Sequence, residues 1–122
     1  MKIHLLLTLI ILIFSCNLGK KGIEVSIQNS TEHTLYNIRV IASAESSVIF
    51  DSIAPNDVQM KFLDMSKTPK NDGSYTLNFT RTDGEEISQS AGYYSNGVPL
   101  NKTICYGIDA ISISTFFDDL CD

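Results

Sequence analysis

The stretch YTLNFTRTDGEEISQSAGYY, residues 75–94, decides the fold class. Tyr75, Leu77 and Phe79 alternate with Thr76, Asn78 and Thr80. A period of two sends apolar and polar side chains to opposite faces, which describes a half-buried strand rather than an amphipathic helix. Asp83-Gly84 interrupts the run, and Ile87 to Tyr94 resumes it. Asp-Gly suits the two left-handed positions of a type I′ turn, so the stretch reads as an antiparallel hairpin.

Upstream the same alternation recurs. Ile23, Val25 and Ile27 alternate with Glu24, Ser26 and Gln28; Tyr36, Ile38 and Val40 alternate with Asn37 and Arg39. A third strand opens at Val48 to Phe50, and Val58, Met60 and Phe62 form the apolar side of a fourth. Asn29-Ser30-Thr31, Ser43 to Ser47 and Asp64 to Gly73 separate them, and Ala54-Pro55-Asn56-Asp57 reads as a type I turn. Downstream, Ser95 to Pro99 turns the chain and Thr103 to Ser114 is one β-branched run, with Gly107 expected at a bulge. Thr115-Phe116-Phe117-Asp118 has the spacing of a helix start, which predicts one terminal helical turn. No stretch sustains a 3.6-residue period. About seven short strands over residues 23–122 predict an all-β fold, an antiparallel β-sandwich. Closure into a barrel stays open at this point.

The chain begins MKIHLLLTLIILIFSC. Lys2 supplies a positive start and Ile3 to Phe14 is apolar apart from His4 and Thr8, which fits a secretory signal segment over residues 1–15. The apolar run falls short of the roughly 20 residues that a membrane-spanning helix needs. Ile13-Phe14-Ser15-Cys16 resembles the lipobox of bacterial lipoproteins, with Phe14 where a small or β-branched residue is usual. That resemblance implies that Cys16 carries lipid and begins the mature chain, with residues 16–22 as a tether. It also implies a bacterial envelope protein held at a membrane, the outer one, facing the periplasm or the surface. The strand pattern of the mature portion is similar to the small immunoglobulin-like domains of bacterial lipoproteins, although the Cys–Trp–Cys signature of antibody domains is absent.

Removing residues 1–15 from 122 leaves 107, enough for one domain with its own core. Eight basic against fourteen acidic residues then leave a net charge of −6, which argues against nucleic acid as a partner. With Cys16 assigned to lipid, Cys105 and Cys121 remain. In an oxidising compartment an even pair is most simply a disulfide; the alternative is a buried Cys105 and a free Cys121.

Chemistry is sparse. His33, in a polar turn, is the single histidine left after the signal segment, and no C-x-x-C, H-E-x-x-H, G-x-S-x-G or phosphate-binding loop occurs. No catalytic residue, metal site or cofactor is therefore expected. Tyr93 and Tyr94 are adjacent on a strand, so one ring should enter the core and the other face outward, where with Asn96 it is a candidate binding group for a glycan or protein. Asp51-Ser52-Ile53 resembles the Asp-Ser/Thr-aliphatic O-glycosylation site of some Gram-negative envelope proteins, making Ser52 a candidate modification site. Asn29, Asn78 and Asn101 head N-x-Ser/Thr triplets, read as chance matches in a bacterial chain.

The expectation is thus a lipid-anchored, non-catalytic envelope domain for protein or glycan recognition. A second reading is an inhibitor or immunity-type protein whose acidic patch, including Glu85, Glu86, Asp118 and Asp119, blocks a cognate enzyme. A third, a small hydrolase, requires a cleft that brings His33 or carboxylates together.

Overall fold

The computed structural model describes residues 20–121. The signal segment at 1–15 and Cys16 therefore lie outside the described residues. Nine strands follow one another: β1 Gly22–Asn29, β2 Tyr36–Ser43, β3 Ser46–Phe50, β4 Val58–Asp64, β5 Gly73–Thr80, β6 Glu86–Ser95, β7 Val98–Pro99, β8 Thr103–Ile108 and β9 Ile113–Phe117. A 3₁₀ turn, Asp118–Cys121, ends the described chain. The strands form two sheets, of order β4-β1-β8-β9 and β3-β2-β5-β6-β7. The fold is all-β and sandwich-like. Ile23, Val25, Ile27, Ile104, Tyr106 and Ile108 of the first sheet belong to one core with Ile38, Val40, Tyr75, Leu77 and Phe79 of the second. The inward positions recur every second residue, as the pleat requires.

The 75–94 hairpin holds, with Thr80 opposite Glu86 and Leu77 opposite Gln89. Its turn differs from the type I′ expectation. The Gly84 N–H bonds Arg81 O at 2.9 Å and the Arg81 N–H bonds Glu85 O at 2.9 Å, while Gly84 alone in the loop is left-handed, with φ 87°. That is a three-residue loop ending on a glycine bulge. At the proline turn Asn56 has φ 67°, so Ala54–Asp57 is type II rather than type I.

The expectation of about seven strands, all antiparallel, is corrected in two ways. The Thr103–Ser114 run splits into β8 and β9, because the Asp109 N–H bonds Ser112 O at 2.8 Å and the Asp109 carboxylate accepts from the Ala110 N–H at 2.8 Å, closing a tight turn. Gly107 pairs in regular register with Ser114, without a bulge. In addition β1 and β8 run parallel, Val25 beside Ile104 and Ile27 beside Tyr106.

Two faces are inverted. Tyr36 stands exposed while Ile38, Val40 and Ala42 are buried, because Asn37 is left-handed (φ 53°) and the register shifts between Tyr36 and Arg39. In β4, Val58, Met60 and Phe62 face out and Gln59, Lys61 and Leu63 face in. Thr115 lies within β9, so the terminal turn starts at Asp118 and not at a threonine cap.

Candidate functional site

Three places on the surface carry chemistry. The first is the outer face of the five-stranded sheet. Cross-strand register sets Ile49, Arg39, Asn78 and Ser88 in one row across β3, β2, β5 and β6. Around that row lies a depression of about 670 Å³, lined also by Asn37, Thr80 and Glu86. The Asn37 side-chain amide reaches the Thr80 hydroxyl at 3.4 Å, and Thr76 and Ser90 hydroxyls meet at 2.9 Å in the neighbouring row. The Asn78 side-chain oxygen is covered and has no hydrogen-bond partner. A guanidinium, two carboxamides and two hydroxyls on a rigid sheet, beside the exposed Ile49, form a donor-rich surface with one apolar wall.

The second place holds the residues singled out from sequence. Tyr94 enters the core: its ring lies 5.6 Å from that of Tyr75, and its hydroxyl donates to Ala42 O at 2.6 Å. Tyr94 is therefore a packing residue and has no free surface to offer a ligand. Tyr93 is 47% exposed, as alternation requires. Asp72, which sequence reasoning missed, joins Tyr93 to Asn96. Its carboxylate accepts the Asn96 N–H at 3.0 Å and the Tyr93 hydroxyl, and these bonds hold it below the ordinary carboxylate range. The Tyr93 hydroxyl is pushed up by the same carboxylate. Asp72 lies in the long 64–73 loop, and its only local signal is a turn-forming residue before Gly73.

The third place is a depression of about 600 Å³ at one end of the sandwich, lined by His33, Glu32, Arg81, Asp83 and Asp109 among others. A cleft containing His33 and carboxylates thus exists. Of the hydroxyls that line it, that of Thr31 is already engaged, since Thr31 Oγ1 sits 2.6 Å from Asn29 Oδ1 and 2.8 Å from His33 O. Arg81 is also held, with its guanidinium 3.4 Å from Asp109 O and 5.3 Å above the Phe79 ring. Asn29 organises this end. It is fully buried, and its amide nitrogen donates to His33 O (2.8 Å) and Ile53 O (2.9 Å) while its oxygen accepts the Thr31 N–H at 2.9 Å. A buried, fully bonded carboxamide cannot serve as a glycan acceptor, so the Asn29 triplet is structural.

Cys105 and Cys121 stand at disulfide distance, 2.09 Å between sulfurs, and link β8 to the terminal turn. Asp118, counted in the acidic patch, is occupied at home. It accepts from Asn101 Nδ2 (2.8 Å), Lys102 N (2.7 Å) and Thr103 N (3.1 Å), bonds that lower its pKa, the Asn101 contact most of all. Ser52 is exposed, immediately before the buried Ile53. Among the described residues no three His, Cys, Asp or Glu side chains come together to hold a metal ion.

No family model matches the chain, and no curated protein matches it. A solved structure does: the NMR structure of a protein from Eubacterium rectale is similar with a TM-score of 0.58 at 14% identity, over 83% of this chain and 92% of that one. At that identity the likeness establishes a shared fold and nothing further.

Proposed function

We propose that the chain is a non-catalytic recognition domain of the bacterial envelope, an immunoglobulin-like sandwich tethered by lipid on Cys16. Its partner, a glycan by preference over a protein, is taken on the outer face of the five-stranded sheet. The observation that carries this reading is the row Ile49–Arg39–Asn78–Ser88 across four strands, with Asn37 and Thr80 around the same depression. Arg39 offers a planar fork for a carboxylate, and the carboxamides and hydroxyls match the alternating donors and acceptors of a sugar. Ile49, 58% exposed, supplies an apolar surface for a ring face. Tyr93, Asp72 and Asn96 form a second polar cluster, with an aromatic ring in it.

The test is an NMR titration of the protein with uronic-acid oligosaccharides, using neutral glucose oligomers as control. Shifts confined to Arg39, Asn78, Ser88 and their neighbours, lost in Arg39→Ala, support the reading. Unmoved spectra with both sugars exclude acidic glycan on this face. The anchor is tested separately, by metabolic lipid labelling of the wild type against Cys16→Ala. Absence of label from both removes the envelope tether. The inhibitor reading keeps Glu85, Glu86 and Asp119 as its surface, and it predicts a stoichiometric enzyme partner in a pull-down.

A further inference from the structure

Strands β2, β3, β5, β6 and β7 hold two charged side chains between them, Arg39 of β2 and Glu86 of β6, of opposite sign. The other described residues that carry charge lie in loops, in the four-stranded sheet or in the terminal turn. Arg39 and Glu86 both line the depression of about 670 Å³. Arg81, by contrast, is held by Asp109 O and by the Phe79 ring. Arg39 and Glu86 stand exposed, and no hydrogen bond or ion pair among the described residues engages either side chain.

Register fixes how far apart these two charges stand. Arg39 is opposite Asn78 and Asn78 is opposite Ser88, whereas Glu86 is opposite Thr80, one same-face position further along. Two strand spacings across and two residues along put their Cα atoms roughly 12 Å apart. Side chains rise from a sheet nearly perpendicular to it, so the two charged tips keep that order of separation. Allowing about 3 Å for a charge-assisted hydrogen bond at each end leaves room for a ligand whose own two charges lie roughly 6 Å apart. The ammonium and carboxylate of a single amino acid are closer than that. Substituents on neighbouring sugar rings match it.

Granting the glycan reading of this face, on which the inference rests, we propose that the ligand is a zwitterionic glycan, with a carboxylate on one sugar and a free ammonium on the next. Arg39 takes the carboxylate and Glu86 the ammonium, while Asn78, Thr80 and Ser88 lie between them for the ring hydroxyls. Ile49, on the far side of Arg39, sets the direction: the acidic sugar lies toward β3 and the amino sugar toward β6. Net charge supplies an independent reason. Over residues 16–122, eight basic against fourteen acidic residues leave −6, so a purely acidic polymer is repelled by the protein as a whole and by Glu86 at the site. A ligand of balanced charge meets neither penalty.

The test is an NMR titration of the protein with a matched pair of tetrasaccharides, hyaluronan and its N-deacetylated form, in mildly acidic, low-salt buffer. Both carry glucuronate, and they differ only in whether the amino sugar is acetylated or charged. The N-deacetylated form should bind about fivefold more tightly, the scale of one exposed ion pair. Glu86→Gln should erase that preference and Glu86→Lys should reverse it. Asp57→Asn, which removes the same charge outside the depression, should retain it. The amide spectrum of each variant verifies its fold. Equal affinities, tighter binding of the acetylated form, or a preference that survives Glu86→Gln overturns the zwitterionic ligand and leaves the glycan reading in place. Spectra that neither tetrasaccharide moves overturn both.

Discussion

The side-chain amide of Asn29 lies 2.9 Å from the carbonyl oxygen of Ile53, 24 residues away, and fastens the end of β1 to the segment between β3 and β4. The same nitrogen also serves His33 O at 2.8 Å. Asn29→Ala leaves both carbonyls and the Thr31 N–H without that partner in a buried place. The expected loss is about 2–4 kcal/mol, read as a fall in melting temperature of about 4–8 °C per kcal/mol. Asn29→Asp preserves shape but points a carboxylate at two carbonyls, so at neutral pH it should be at least as damaging. A melting temperature within a degree of wild type for either variant would contradict the role.

The Cys105–Cys121 link spans 16 residues. In the chain-entropy model a loop of that size contributes about 3 kcal/mol, acting chiefly on the unfolded chain. Reduction should lower the denaturation midpoint while leaving the far-ultraviolet circular dichroism of the folded state unchanged, because the sheets do not depend on the link for pairing. Identical midpoints with and without reductant would contradict that contribution.

Asp118 makes the acid limb of stability predictable in sign. Its pKa is lowered in the folded chain by Asn101, Lys102 and Thr103, relative to an ordinary value of 3.8. A group depressed on folding adds stability above its unfolded pKa, and that stability drains away as pH falls through the folded value. Asp118→Asn should therefore be less stable than wild type near neutrality, and the gap should narrow below about pH 4. Urea titrations at pH 7 and pH 3 check this; a gap that widens in acid contradicts it.

At the alkaline end the buried tyrosines set the limit. Burial pushes Tyr75 up to about 12, and burial raises Tyr106 as well. Both must be neutral in the folded core, so unfolding releases their protons once pH passes the ordinary value of 10.0. Stability contributed by a raised pKa is complete below the unfolded value and falls as pH climbs toward the folded one. The slope is about 1.4 kcal/mol per pH unit for each tyrosine. Tyr75→Phe, which retains the ring, should flatten the loss of stability between pH 10 and 12.

Local alternation was sufficient to read β1, β5 and β6, because each has a core face and a wet face within a single run of residues. It misread β4. Val58, Met60 and Phe62 are apolar, but this strand lies at an edge, where Lys61 and Gln59 turn inward to reach carbonyls of the β3 side. It also missed the outward turn of Tyr36, which depends on the left-handed backbone of Asn37. The parallel contact of β1 with β8 joins residues about eighty positions apart, and no local pattern encodes such a pairing. Of the residues proposed for binding, the split between Tyr93 and Tyr94 was legible from pleat geometry alone. The Arg39 depression was not, since its members come from four strands and meet only through register.

The placement of β1 has a mechanical consequence. It is the first strand after the N-terminal segment, yet it sits inside its sheet, bonded to β4 on one side and to β8 on the other. A pull on Gly22 that is aligned with the strand axis loads both ladders in shear at once. A strand at the margin would peel open one rung after another. Against such a load the leading end is held by two ladders, where a marginal strand would have one.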